Sequence, residues 1–485
     1  MILKTTTLLL LLSLNIASDI AVALAPSAAA SSRSAESPLQ HPANDTPVDL
    51  PEFNNAEEYL EFMNSVASLP KGFATGAAGG TFISKEAPNL GKLPIRGTVI
   101  QLTKGPTDSW AACFTSNMFP GAPVVVGRKR LANGGPLGAI VINNKVSNVC
   151  SSADGELDAE LVCESVAKAL NLETSEQVLP SSTGVIGWSL PAKELAEDIV
   201  PEAVQNLQTN SALNAAKAIM TTDRFPKIRS KTLSNGARIV GIAKGAGMIE
   251  PNMATMLSYI MTDATISKQD LQKMLSSTVN QTFNCLSVDG DESTSDTVVA
   301  VASNQVSEPV DMEEFEQAFY EVCQGLSKDI VRNGEGTSHV MKVDIANFPG
   351  SARSARFFGR HIVNSPLFKC AVAGNDPNIG RLARAVGDYL GKYEPDTNVS
   401  SLSLTIGNRV IFKNKQFVAA GEATELELSK HFSEAEFEGF TDYPPHQRFV
   451  EIVVDFGKKG GDTSVVVLGS DLTKEYIDIN ADYRS

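Results

Sequence analysis

Residues 244–257 read Lys-Gly-Ala-Gly-Met-Ile-Glu-Pro-Asn-Met-Ala-Thr-Met-Leu, a glycine-rich, proline-containing loop that runs into an apolar strand with Ala254 and Thr255 at its mouth. Gly245 and Gly247 free the backbone to take positive φ and to approach a second backbone closely. A small residue ahead of a threonine leaves the intervening carbonyl unshielded. The threonine hydroxyl is a weak nucleophile. Making the same residue a chain terminus gives it an α-amine of pKa about 7.7–8.0 that can serve as its own base. That chemistry requires a cut between Ala254 and Thr255. On local pattern alone, a threonine at a loop-to-strand junction is more commonly an ordinary strand residue. A second segment, Ser181-Ser-Thr-Gly-Val-Ile-Gly187, turns from a strand toward a helix that starts near Pro191. Acyl transfer needs donors for the oxyanion of a tetrahedral intermediate, and a threonine hydroxyl beside a glycine N–H supplies two from one turn. The same residues also suit a plain connecting turn.

With several other blocks, these segments resemble the self-cleaving ornithine acetyltransferase and glutamate N-acetyltransferase family of arginine biosynthesis, whose precursors cut between Ala and Thr of a KG[AS]GMIxPNMATML block. The resemblance runs from about Gly76 to Ser485. It implies cleavage at Ala254–Thr255, Thr255 as nucleophile and new N-terminus, and Thr183 with Gly184 as the oxyanion pair. Ala218-Ile-Met-Thr-Thr-Asp-Arg-Phe-Pro-Lys227 is similar to the family's MTTDTFPK, which implies Thr221 as a substrate contact, with Thr222 close behind. Lys244 carries over as a substrate-binding residue, a compact cation able to hold an α-carboxylate. Arg332-Asn-Gly-Glu-Gly-Thr-Ser-His339 is similar to DGEGATK and implies Glu335 as the contact for an ornithine amine. Residues 479–485 would ordinarily fray; in the family this tail folds back, which implies substrate contacts at Asn480 and Ser485.

The implied reaction is ping-pong acetyl transfer from N-acetylornithine to glutamate through an acetylated Thr255. It needs neither cofactor nor metal, and acetyl-CoA stands as an additional donor in some members. The implied assembly is a heterotetramer of two α and two β chains, with no nucleic acid and no membrane as partner. The implied organisation is a pre-sequence over 1–45, an α chain over 46–254 and a β chain over 255–485. Departures from the family pattern are Asn143-Asn-Lys-Val-Ser-Asn-Val-Cys-Ser-Ser152 in place of NSGNANAxTG, His339 in place of a lysine and Asn333 in place of an aspartate. Two further matching blocks, 282–291 and 374–381, read as structural turns. Two rival readings use the same sequence. An aminopeptidase or amidohydrolase with an N-terminal nucleophile would pass the acyl group to water, and a secreted binding protein would keep the fold uncut.

The elements that must position these residues are legible in the periodicity. Helical patterns cover 56–66, 157–170 and 195–207; a serine cap opens one at 267–286, and Asp311 caps another carrying Phe315, Phe319, Val322 and Leu326. Strand patterns cover 256–262, 297–302, 340–345, 449–456 and 464–468, with a hairpin over 402–412 turning at Gly407-Asn408. Strands grouped with long helices predict a layered α+β sandwich rather than a doubly wound parallel sheet; the resemblance implies the ornithine acetyltransferase, N-terminal-nucleophile-like version of it. Gly76, Gly79 and Gly80 are not followed by the GK[ST] of a phosphate loop and read as a turn.

Composition narrows the rest. The 485 residues carry 41 Lys plus Arg against 56 Asp plus Glu, a net charge of −15, with no basic run to neutralise phosphates. Six scattered cysteines form no CxxC and read as buried small apolar groups; five scattered histidines offer no zinc pattern. Lys4, an apolar run over 8–14 and small residues through Ala25 fit a signal peptide, and the Ala/Ser-rich stretch after it fits a transit peptide. Together they predict a plastid address, with the mitochondrion or secretion as alternatives.

Overall fold

The computed structural model describes residues 49–250, 256–419, 421–458 and 460–481. The pre-sequence over 1–45, the Ala254–Thr255 junction and Ser485 lie outside the described residues.

Three sheets organise the chain. The first has the order β1 (Phe73–Phe82), β2 (Leu93–Leu102), β4 (Ala139–Asn143), β5 (Val178–Ser182). The second has the order β3 (Trp110–Phe114), β10 (Thr297–Val306), β8 (Leu257–Ala264), β7 (Arg238–Lys244), β6 (Lys227–Thr232). The third runs β14 (Gln416–Phe417), β13 (Arg409–Lys413), β12 (Ser403–Ile406), β15 (Val450–Asp455), β11 (Val340–Phe348), β16 (Thr463–Ser470), β9 (Leu286–Ser287). Parallel and antiparallel ladders mix in each, as an α+β fold requires.

Alternation along the strands explains the layering. Leu257, Tyr259 and Met261 of β8, with Val240 and Ile242 of β7, enter one core shared with Ile100, Ile140 and Leu179 of the first sheet. Ile260, Ile239, Val298 and Ala300 point the other way, onto Leu271 and Leu275 of the Lys268–Gln281 helix and onto Phe319, Val322 and Leu326 of the Met312–Arg332 helix. The far face of the first sheet, through Val99, Val141 and Val178, packs on Val162 and Val166 of the Gly155–Leu170 helix. The two-residue side-chain period therefore places helices outside two face-to-face sheets, an αββα sandwich. The third sheet has its own core with the Ala352–Val363 and Ile379–Tyr393 helices.

Side-chain caps lie where the sequence predicts them: Asp311 accepts from the N–H groups of Glu313 and Glu314, and Ser267 from that of Asp270. The helix opened by Ser267 stops at Gln281, short of 286. There Thr282 leaves helical geometry, its hydroxyl donates back to the Thr278 carbonyl at 2.7 Å, and a 3₁₀ turn leads into β9.

Two expectations are corrected. Gly76, Gly79 and Gly80 lie inside β1 and not in a turn. A Cβ on Gly76 would stand 2.2 Å from the Ala203 carbonyl oxygen, and one on Gly80 would stand 2.8 Å from Ile199, so these glycines let a helical segment lie directly on the strand. Among the cysteines, Cys113, Cys163, Cys285 and Cys323 are buried as expected, but Cys150, in the loop after β4, and Cys370, on the outer face of the Pro366–Ala373 helix, are exposed.

Candidate functional site

The site forms where the first two sheets meet. β7 ends at Lys244, which pairs in register with Leu257, the first residue of β8. A cavity of about 40 Å³ at this junction is lined by Thr183, Gly184, Thr221, Thr222, Lys244 and Asp296, and also by Met256 and Leu257. Met256 directly follows the candidate nucleophile in the chain. Five of the residues expected from sequence, Thr222 included, therefore border one space. About two to three waters fill such a volume, which suits a small acyl group.

β5 delivers Thr183 at its end. The Thr183 N–H donates to the Asn143 carbonyl at 3.0 Å, and the Ser182 hydroxyl donates to the Asn143 side chain at 2.6 Å. The turn beyond is zipped to the loop after β4: the Val185 N–H donates to the Lys145 carbonyl at 2.9 Å, Ser147 N–H to the Val185 carbonyl at 3.1 Å and Gly187 N–H to the Val149 carbonyl at 2.8 Å. Gly184 has φ +132°, and a Cβ on it would fall 2.2 Å from the Lys145 carbonyl carbon, so only glycine fits. Among the described residues, neither the Thr183 hydroxyl nor the Gly184 N–H donates to a protein acceptor. Two adjacent donors without a protein acceptor, on residues that line the cavity, are what an oxyanion hole requires.

The opposite wall is electrostatic. Asp223, buried, accepts from Lys227, from the Gly245 N–H at 2.7 Å and from the Thr221 N–H at 3.0 Å. Burial alone would push its carboxyl up, but Lys227 and then Lys244 outweigh burial and hold it at about 2. Lys244 is partly buried; burial pushes its ammonium below the ordinary lysine value, and the Asp223 carboxylate opposes that. Asp296 is buried at the cavity's edge, where burial pushes its carboxyl well above the usual range and one carboxyl oxygen has no hydrogen-bond partner among the described residues.

Glu335 is only 6% exposed and sits one layer behind the cavity. The Thr222 hydroxyl donates to its Oε1 at 2.6 Å and the Asn480 amide to its Oε2 at 2.8 Å. Gly247 makes room for it: a Cβ there would overlap the carboxylate at 2.1 Å. Asn480 closes the Lys474–Asn480 helix, which is tied down by the Thr473 hydroxyl on the Gly336 carbonyl at 2.6 Å and by the Tyr476 hydroxyl on Asp289 at 3.2 Å. The tail thus returns to the site as far as Asn480. Asp289, from a block expected to be structural, also accepts from the N–H groups of Met248 and Ile249, both at 2.7 Å, and so anchors the loop that leads to the junction.

The departures from the family pattern have local accounts. Asn333 accepts from the Arg224 N–H at 2.8 Å and donates to the Phe225 carbonyl at 2.9 Å, and an aspartate could not make the second bond. His339 is fully buried; its Nδ1 lies 2.9 Å from Asp471 and its Nε2 lies 3.1 Å from the Asn375 side chain, away from the cavity. In the 143–152 loop, Lys145, Asn148 and Cys150 all have left-handed φ, at +74°, +55° and +49°. Sequence reasoning missed Asp223, Lys227 and Asp296. For the first two a signal existed, since they stand four apart within the recognised MTTD block; Asp296 had none, being a lone acid ahead of a strand.

An αββα sandwich that presents a free Thr-Gly donor pair beside the first residues of β8 defines the class, an acyltransferase. Residues 96–485 match the ArgJ family, and the chain belongs to that family. It is 36% identical over 380 residues to the Arginine biosynthesis bifunctional protein ArgJ 2 of Clostridium acetobutylicum, covering 77% of this chain and 90% of that protein. It is likewise 36% identical over 381 residues to the Glutamate N-acetyltransferase of Methanothermobacter thermautotrophicus, again covering 77% and 90%. Among solved structures, the Arginine biosynthesis bifunctional protein argJ of Bacillus halodurans is 32% identical, with a TM-score of 0.40 over 47% of this chain and 99% of that one.

Proposed function

We propose that the chain transfers acetyl from N-acetylornithine to glutamate through an ester on Thr255, after cutting itself between Ala254 and Thr255. The observation that carries this reading is the free donor pair of Thr183 and Gly184 bordering the same cavity as Met256, which follows Thr255 in the chain. In the precursor, Thr255 Oγ adds to the Ala254 carbonyl and the amide nitrogen leaves as an amine, giving an ester that water hydrolyses. In turnover, the freed α-amine takes the hydroxyl proton as Oγ attacks the acetyl carbonyl, and Thr183 with Gly184 holds the oxyanion. Lys244 supplies the cation for an α-carboxylate, and Glu335, set by Thr222 and Asn480, supplies the anion for the ornithine ammonium. Ser485 joins Asn480 as a tail contact in this reading. The two halves stay together as α and β chains in a heterotetramer, and residues 1–45 address the protein to a plastid. Acetyl-CoA is an additional donor.

The test is an acetyl-transfer assay with labelled N-acetylornithine. Label appearing in N-acetylglutamate only when glutamate is present supports transfer. Label released as acetate at the same rate with and without glutamate would move the chain to the hydrolase class.

A further inference from the structure

A transferase of this kind must accept two side chains of opposite charge in turn. The donor brings an ammonium, for which the buried carboxylate of Glu335 is suited; the acceptor brings a second carboxylate, which Glu335 repels. A second cavity, of about 460 Å³, opens beside the first and shares Gly184, Thr221 and Thr222 with it. Its wall carries two cations, Arg96 and Lys145, and a single acid, Asp478. Among the described residues neither cationic side chain has a hydrogen-bond or ion-pair partner. In a chain of net charge −15, two unpaired cations on the wall of one cavity form a local positive field that an anion relieves.

The backbone adds an independent observation. Lys145 is held at φ +74°, a left-handed conformation that crowds the Cβ of any residue with a side chain. The family's motif carries glycine at this place, which would take the same turn without cost. The Lys145 carbonyl accepts from Val185 N–H at 2.9 Å, so the strained residue is locked to the oxyanion turn and its side chain starts one residue from the Gly184 N–H across the zipped loops. A charged side chain kept where the backbone favours its removal points to work done by that side chain.

We propose that Lys145, with Arg96 beside it, forms an anion subsite for the side-chain carboxylate of the acyl acceptor, making Lys145 a specificity-determining residue for an acidic amino acid. The inference rests on the transfer reaction proposed above. It divides the site into a carboxylate end at Glu335 for the donor and a cationic end at Lys145 for the acceptor, with Lys244 common to both.

The experiment compares wild type with Lys145→Met, Lys145→Arg and Lys145→Gly. For K145M, KM for glutamate rises about tenfold or more, the size of a lost charge-assisted hydrogen bond, while KM for N-acetylornithine stays within about twofold. K145R restores most of the affinity. K145G shares the KM defect yet melts at or above the wild-type temperature, because glycine takes positive φ freely. Titration of glutamate into wild type and K145M by calorimetry reads the subsite directly, even in a chain that transfers nothing. Failure of the transfer reading therefore remains distinguishable from failure of this one. An unchanged glutamate KM and Kd in K145M would overturn the proposal. So would equal rises for donor and acceptor, which mean general positioning, or a rise confined to acetyl-CoA, which means that the cations hold phosphate.

Discussion

At the scale of the residue, chemistry depends on what is left unbonded. The Thr183 main chain is committed to Asn143, while its hydroxyl and the neighbouring Gly184 N–H remain available. Thr183→Ala removes one of the two proposed oxyanion donors, and under the proposed mechanism kcat falls about 10²–10³-fold, or about 2.7–4 kcal/mol of barrier. KM for either amino acid changes little, as steady-state kinetics on the cut protein will show. Thr183, Gly184, Lys244, Glu335 and Asn480 could be singled out in sequence because each lies inside a contiguous block that resembles the family's, while residue types alone left a plain turn, a surface lysine or a frayed tail as open readings. The geometry behind them was not legible. Asp223 bonds Gly245, 22 residues on, while it holds Lys227, and Lys145 sits strained under Gly184; the Gly245 and Gly184 pairings join segments far apart in the chain, and sequence carries residue types without the closeness that gives them meaning.

At the scale of the element, helices were easier to read than the glycine-rich strand. Asp311, Ser267 and Asn55 each cap a helix through a bond confined to a few residues, so the signal is local. β1 is different: Phe73-Ala-Thr-Gly-Ala-Ala-Gly-Gly-Thr-Phe82 has Thr75 and Thr81 as its β-branched residues against three glycines and three alanines, and its glycines read as a turn. Its strand identity comes from pairing with β2 along its whole length and from a helical segment that comes within backbone contact of it. Gly76→Ala places a methyl against the backbone of Ala203 and Leu207 and costs about 1–3 kcal/mol. Gly79→Ala meets nothing closer than 3.8 Å and leaves stability within about 1 kcal/mol. Thermal melts of the two variants side by side measure the difference.

At the scale of the whole molecule, the position of the Ala254–Thr255 junction matters more than any single contact. The first sheet lies wholly before it and the third wholly after it, while the second takes β3, β6 and β7 from one side and β8 and β10 from the other. The β7–β8 ladder, from Ile239 with Thr262 to Lys244 with Leu257, and the β3–β10 ladder would therefore bind the two products of a cut. Cleaved protein should run as two bands in denaturant and as a single species in native chromatography. Asp223, facing this shared sheet, adds an acid dependence. Its folded pKa of about 2 lies below the unfolded 3.8, so its contribution, about 2 kcal/mol, is complete above about pH 4 and is lost as pH falls through 2. In acid titrations, Asp223→Asn flattens that part of the stability curve, although the variant is weaker at neutral pH with Lys227 left unpaired.

The central claim is that this acyltransferase makes its own nucleophile. Intact mass with N-terminal sequencing of the folded mature protein, beside Thr255→Ala, tests it most directly. The account predicts two chains, the second beginning at Thr255, in the wild type and one uncut chain in the variant. A single uncut wild-type chain that nevertheless transfers acetyl, or a T255A chain cut at the same bond, would contradict it.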